Sequence, residues 1–117
     1  MQQTITKDKI KFDIITGTTE IDGKLYYLKQ NSKRFLVFKL LMENYGNVVP
    51  NYQLASIGVI KPSIKNEKLF KEAKYYNPKI YKEILEDLKK LIYQIRQQLE
   101  LDKSIIRNKF NEGYYIG

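Results

Sequence analysis

The chain has neither cysteine nor histidine. Without cysteine, disulfide frameworks and thiolate metal sites are excluded. Without histidine, the commonest general base and the commonest metal ligand are missing, and so is any triad built on one. There is no Gly-rich phosphate loop and no nucleophile elbow. The start, Met1-Gln2-Gln3-Thr4, is polar and carries no apolar signal core. No apolar run nears the ~20 residues that a membrane span requires. These features read as a cytoplasmic protein without membrane contact. Acidic residues are scarce: 13 Asp+Glu stand against 21 Lys+Arg, a net charge of +8. That balance points to a polyanionic partner, with nucleic acid ahead of an anionic membrane surface. What is present suffices for a packed core. The 117 residues are 43% hydrophobic, which reads as one domain, residues 1–117, and not as a disordered tail.

Residues 1–29 read as strands. Ile10, Phe12 and Ile14 alternate with Lys9, Lys11 and Asp13, a period of two with one apolar face. Thr16-Gly17-Thr18 is a turn signal, followed by a short strand over Thr19 to Ile21. Asp22-Gly23 is a strong hairpin turn, because both residues tolerate positive φ. Lys24 to Leu28 returns, so the expectation is a small antiparallel sheet of about three strands. Residues 31–100 read as a helical core. Asn31 or Ser32 caps a helix whose stripe is Phe35, Phe38, Leu41 and Met42, with Leu36 and Leu40 beside it. Tyr45-Gly46-Asn47 stops it, since Gly46 can turn left-handed. Val48-Val49 is briefly extended. Pro50 and Asn51 start a second helix with Leu54, Ala55 and Ile57 inward, ended by Gly58. Within the segment 59–79, Lys61-Pro62-Ser63 reads as a loop and Lys65 to Tyr76 as a short helix with Leu69, Phe70 and Ala73 on one side. Asn77-Pro78 breaks it, and Pro78 opens the next helix.

The last third carries the most information. Ile84, Leu88, Leu91, Ile92, Ile95 and Leu99 form a helix-period stripe over about Pro78 to Glu100. The opposite face holds Lys82, Lys89, Lys90, Tyr93, Gln94 and Gln97. Residues 101–117 read as the wing, with Leu101-Asp102-Lys103-Ser104 as its link and then a hairpin with Arg107, Asn108 and Lys109 at its start and Asn111 at its turn. Phe110, Tyr114 and Ile116 are expected to pack inward. A basic, amide-rich helix face followed by a basic β-wing is the equipment of a winged-helix DNA reader.

Three stretches resemble the OmpR/PhoB-type winged-helix effector domain of bacterial response regulators. Phe35 to Met42 leads through Glu43-Asn44-Tyr45-Gly46-Asn47 to Val48-Val49, as the family's helix leads to a Gly turn and a Val-Val pair. Ile95-Arg96-Gln97-Gln98-Leu99 is similar to the family's Leu-Arg-Lys-Lys-Leu. Ile106-Arg107 followed by Glu112-Gly113-Tyr114 is similar to the family's Ile-Arg-Thr and Gly-Tyr wing. The resemblance implies an α+β fold: a winged helix-turn-helix with a small N-terminal antiparallel sheet, a three-helix core and a C-terminal β-hairpin wing. It implies a bacterial, phage or mobile-element transcription regulator that binds double-stranded DNA and needs no cofactor. The family's loop between the second helix and the recognition helix touches RNA polymerase. RNA polymerase or another regulator is thereby implied as a second partner, and a homodimer as the assembly. The chain departs from the family in four places. The segment before the long helix is longer and carries Lys61, Lys65, Lys68, Lys71, Lys74 and Lys79. The recognition-helix entry reads Glu86-Asp87-Leu88-Lys89. Tyr93 and Gln94 replace paired arginines, and Asn111 stands where the wing turn usually has Gly.

Each candidate has a specific chemistry. Lys82, Lys89 and Lys90 meet phosphates. Gln94 and Gln97 suit adenine N6 and N7 in the major groove, and Tyr93 a thymine methyl or a phosphate. Arg107, Asn108, Lys109 and Asn111 enter the neighbouring minor groove, where a narrow groove is strongly negative. Tyr45, Asn51, Tyr52 and Gln53 flank the second helix, which in helix-turn-helix geometry crosses the backbone. Two other readings stay open. One is a winged-helix protein-interaction adaptor without DNA specificity. The other is a metal nuclease at Asp22-Gly23-Lys24 with Asp13 and Glu20, a weak match because Asp22-Gly23 is already explained as a turn. The expectation is a binding protein that is not an enzyme and holds no metal.

Overall fold

The structure is a computed structural model and describes residues 3–58, 64, 66–101 and 105–117. The expected Lys61-Pro62-Ser63 loop, the Asp102-Lys103-Ser104 link and the helical start at Lys65 lie outside these residues. Four short strands open the chain: β1 (Thr4–Lys7), β2 (Ile10–Asp13), β3 (Thr18–Ile21) and β4 (Lys24–Tyr27). They form one antiparallel sheet in sequence order. Ile5 stands opposite Phe12, and Phe12 opposite Thr19. Alternation puts Ile5, Ile10, Phe12 and Thr19 on the buried face. Lys11 and Glu20 pair across the solvent face at 3.7 Å. The Asp22-Gly23 turn forms as expected, with φ of 51° and 83°. One strand more than expected is present. Thr4-Ile5-Thr6-Lys7 has a single apolar residue, so its strand is set by pairing with β2 and not by its own pattern.

Helix α1 (Lys33–Glu43) begins where Ser32 accepts the Phe35 N–H at 3.2 Å, which decides the cap between Asn31 and Ser32. Phe35 and Phe38 pack on Phe12, with ring centroids 5.4 and 5.0 Å away. Sheet and helix are thus joined through aromatic burial. Next come β5 (Val49–Pro50) and α2 (Asn51–Gly58). Pro50 belongs to the strand and not to the helix, opposite Gly113. A third helix, α3 (Glu67–Tyr76), is capped by Asn66, which accepts the Leu69 N–H at 2.8 Å. Then α4 (Pro78–Gln98) runs with Pro78 in its first turn. The hairpin β6 (Ile106–Lys109) and β7 (Gly113–Ile116) completes the chain. With β5 it makes a three-stranded antiparallel sheet in the order β5-β7-β6.

Among the described residues the fold is α+β with four helices, the three of the expected core and the short helix read over Lys65 to Tyr76 in the segment before α4. Phe70 and Ala73 of α3 are buried with Ala55, Ile64 and Ile84 in a second apolar cluster, whereas Leu69, expected on the same side, is exposed. Tyr52 and Tyr81 cover Phe70, at 5.7 and 5.2 Å between ring centroids. The main cluster takes the expected stripe of α4, with Leu88, Leu91, Ile92, Ile95 and Leu99 against α1 and both sheets.

Candidate nucleic-acid interface

Helix α4 presents one long solvent face because its apolar stripe is wholly committed to the two clusters. Lys82, Lys89, Lys90, Tyr93, Gln94 and Gln97 are all exposed, as are Arg107, Asn108, Lys109 and Asn111 on the hairpin. They do not all converge. At about 100° per residue, Lys82 and Lys89 share one edge of the helix and Gln94 lies roughly 140° around from Lys89.

The Lys82–Lys89 edge faces the hairpin. Between them runs a groove of about 290 Å³ lined by Lys82, Leu85, Glu86 and Lys89 on one wall. Asn108, Phe110, Asn111 and Tyr114 form the other, together with Asn51 of α2. Asn51 is held there by its backbone N–H, which donates to the Glu112 carbonyl at 2.9 Å. The hairpin itself is anchored at its base. The Arg96 guanidinium of α4 donates to the Ile106 carbonyl. Burial pushes the Tyr114 hydroxyl pKa above its ordinary value, against the opposing pull of Arg96. Lysine ammoniums and asparagine amides thus line both walls with hydrogen-bond donors. Glu86 is the one carboxylate in that lining.

The centre of the face is mixed. Lys79, Lys82 and Lys90 share a shallow depression with Glu83, Glu86 and Asp87, three cations against three carboxylates. Further along, Tyr93 and Gln97 are joined, the Gln97 amide donating to the Tyr93 hydroxyl at 2.9 Å. Gln94 opens on a different groove, lined by Lys29 and Ser32 ahead of α1, Lys33 and Arg34 in its first turn, and Leu91 and Gln98. Lys109 is paired with Glu112 at 3.2 Å.

Two expectations are corrected. Phe110 is 84% exposed, whereas Tyr114 and Ile116 are buried. The reason is the turn: the Glu112 N–H donates to the Lys109 carbonyl at 2.9 Å, which leaves Phe110 at the hairpin tip beyond the reach of the core. Tyr52 serves the α3 cluster and is not a free flank of α2, and Tyr45 packs against the main core. Of that group, Asn51 lines the groove and Gln53 is exposed. The carboxylates considered for metal chemistry have structural partners. Asp13 accepts the Ile15 and Thr16 N–H groups, at 2.8 and 3.2 Å, and Asp22 pairs with Lys9 at 3.7 Å. Among the described residues no group of three or more such ligands comes together, and no helix is long and apolar enough to cross a membrane.

The chain shares its fold with the response regulator DrrB of Thermotoga maritima, an OmpR/PhoB homologue. The two superpose with a TM-score of 0.65 and 20% sequence identity, over 98% of this chain and 44% of DrrB. This chain therefore spans less than half of DrrB's length, and the likeness is one of fold. No family model and no curated protein matches the chain.

Proposed function

We propose that the chain is a winged-helix protein that binds double-stranded DNA in a sequence-specific way and regulates transcription. The observation that carries this reading is the donor-lined groove between α4 and the C-terminal hairpin. A helix in the major groove and a wing in the adjacent minor groove straddle one phosphodiester strand, and that strand has to pass between them. Lys82 and Lys89 on one wall and Asn51, Asn108 and Asn111 on the other are chemically suited to it. Tyr93, Gln94 and Gln97 face base edges from the second half of α4, which holds no carboxylate before its end. The net charge of +8 and the fold shared with an OmpR/PhoB homologue support the same reading. The protein's action is docking, with DNA as partner and RNA polymerase or a second copy of the chain as further ones.

Selection of bound fragments from a random duplex pool, followed by binding titrations at several salt concentrations, tests this. The expected result is a defined motif and a log K that falls with log salt at a slope of roughly −5 for six neutralised phosphates. Gln94→Ala relaxes preference at one position by about 1–2 kcal/mol, and Lys89→Gln weakens all sequences alike. Absence of duplex binding at low salt refutes the reading. The adaptor reading draws on the carboxylates Glu83, Glu86 and Asp87 on the same face, and it predicts that refuting result.

A further inference from the structure

A helix lying in the major groove has a phosphate strand on each side. The groove is about 12 Å wide, and a helix with its side chains is about 10–12 Å across, so both flanks of the helix meet backbone. One flank of α4 is the groove at the hairpin. The other is the groove of about 350 Å³ at the start of α1, lined by Lys29, Ser32, Lys33, Arg34, Leu91, Gln94 and Gln98. Three of those seven residues are cationic and none is acidic. This contrasts with the balanced charges at the centre of the face.

This second wall is fixed to the helix. The Arg34 guanidinium donates to the Gln98 side-chain carbonyl at 2.6 Å, and the Gln98 amide donates to the Tyr27 backbone carbonyl at 2.6 Å. One short network thus ties β4, α1 and α4 together at this corner. Arg34 is occupied in holding it. Lys29 and Lys33 are exposed, and no ion pair among the described residues engages either.

We propose that Lys29 and Lys33 grip the phosphodiester strand on the far side of α4 from the hairpin, so that the duplex is clamped along both borders of its major groove. The inference rests on the DNA-binding reading above and adds a second contact surface to it. Gln94, at the rim of this wall, is thereby positioned between a base edge and the backbone beside it.

The test uses the 117-residue chain and a random-sequence duplex, with affinity measured across a salt series. Each lysine that neutralises a phosphate contributes about −0.9 to the slope of log K against log salt. In Lys29→Gln/Lys33→Gln the slope is expected to shrink in magnitude by about 2. In Lys29→Arg/Lys33→Arg it is expected to stay at the wild-type value. A control of equal charge loss on the solvent face and turn of the N-terminal sheet, Lys11→Gln/Lys24→Gln, is expected to leave it unchanged. Hydroxyl-radical protection should be lost from one strand in the Gln pair. A wild-type slope in the Gln pair, or an equal loss in the control, overturns the second wall while leaving the DNA-binding reading intact. A wild-type protein that does not bind duplex at all overturns both.

Discussion

Asn111 adopts φ 60° at the hairpin tip. This is the left-handed region that Gly occupies at low cost and that Asn tolerates better than most residues. Asn111 therefore takes this turn at low cost, and it adds an amide to the groove wall. Asp13 shows how little a residue name says about its use. Its carboxylate accepts the Ile15 and then the Thr16 N–H, which holds its pKa below the ordinary value of 3.8. A depressed folded-state pKa means stabilisation that is present above the unfolded value and lost as pH falls through the folded one. Acid unfolding monitored by circular dichroism should thus show a limb below pH 3.8 that is flattened in Asp13→Asn. Phe110 marks the opposite limit of legibility. Its apolar character argues for burial, and only the 109–112 turn shows that no core lies within its reach.

At the scale of elements, what the sequence shows best is what repeats. The stripe Ile84, Leu88, Leu91, Ile92, Ile95 and Leu99 spans over four turns of α4, and all six are buried. The Asp22-Gly23 hairpin is legible because local conformational preference alone dictates it. Strand β1 is not, since it has a single apolar residue, and β5 is so only in part, since Val49 reads as extended while Pro50 reads as the start of a helix. Partners elsewhere in the chain create both. The segment before α4 is half legible. Phe70 and Ala73 give its buried side, but its target, the pocket of Ala55, Ile64 and Ile84, is assembled from three separate parts of the chain. Ile84 is wholly buried there, so Ile84→Ala should cost about 3 kcal/mol in urea unfolding, within the usual range for such a deletion. An effect below about 1 kcal/mol would show that α3 is not docked through this residue.

At the scale of the whole molecule, net charge is a sum and a binding surface is an arrangement. The count of +8 is evident from composition, yet it does not say which lysines stand beside α4. Lys29 and Lys33 precede Gln94 by some sixty positions in the chain, and only the packing of α1 on α4 sets them side by side. The candidate base-facing residues, by contrast, follow from helical spacing, because they share the exposed arc left by the apolar stripe. One link between distant segments has a mechanical outcome. The hairpin's return strand is laced to the entry of α2 by Val49 opposite Tyr114, Pro50 opposite Gly113, and the Gly46 N–H to the Ile116 carbonyl at 2.7 Å. A Cβ at Gly113 would lie 1.9 Å from the Val49 oxygen, so Gly113→Ala must prise that seam apart. The hairpin is consequently no swinging arm. The amides of Gly46 and Asn51 should exchange with deuterium at one shared opening free energy, and the alanine variant should speed both together. A force on the finger is felt at the foot of the neighbouring helix.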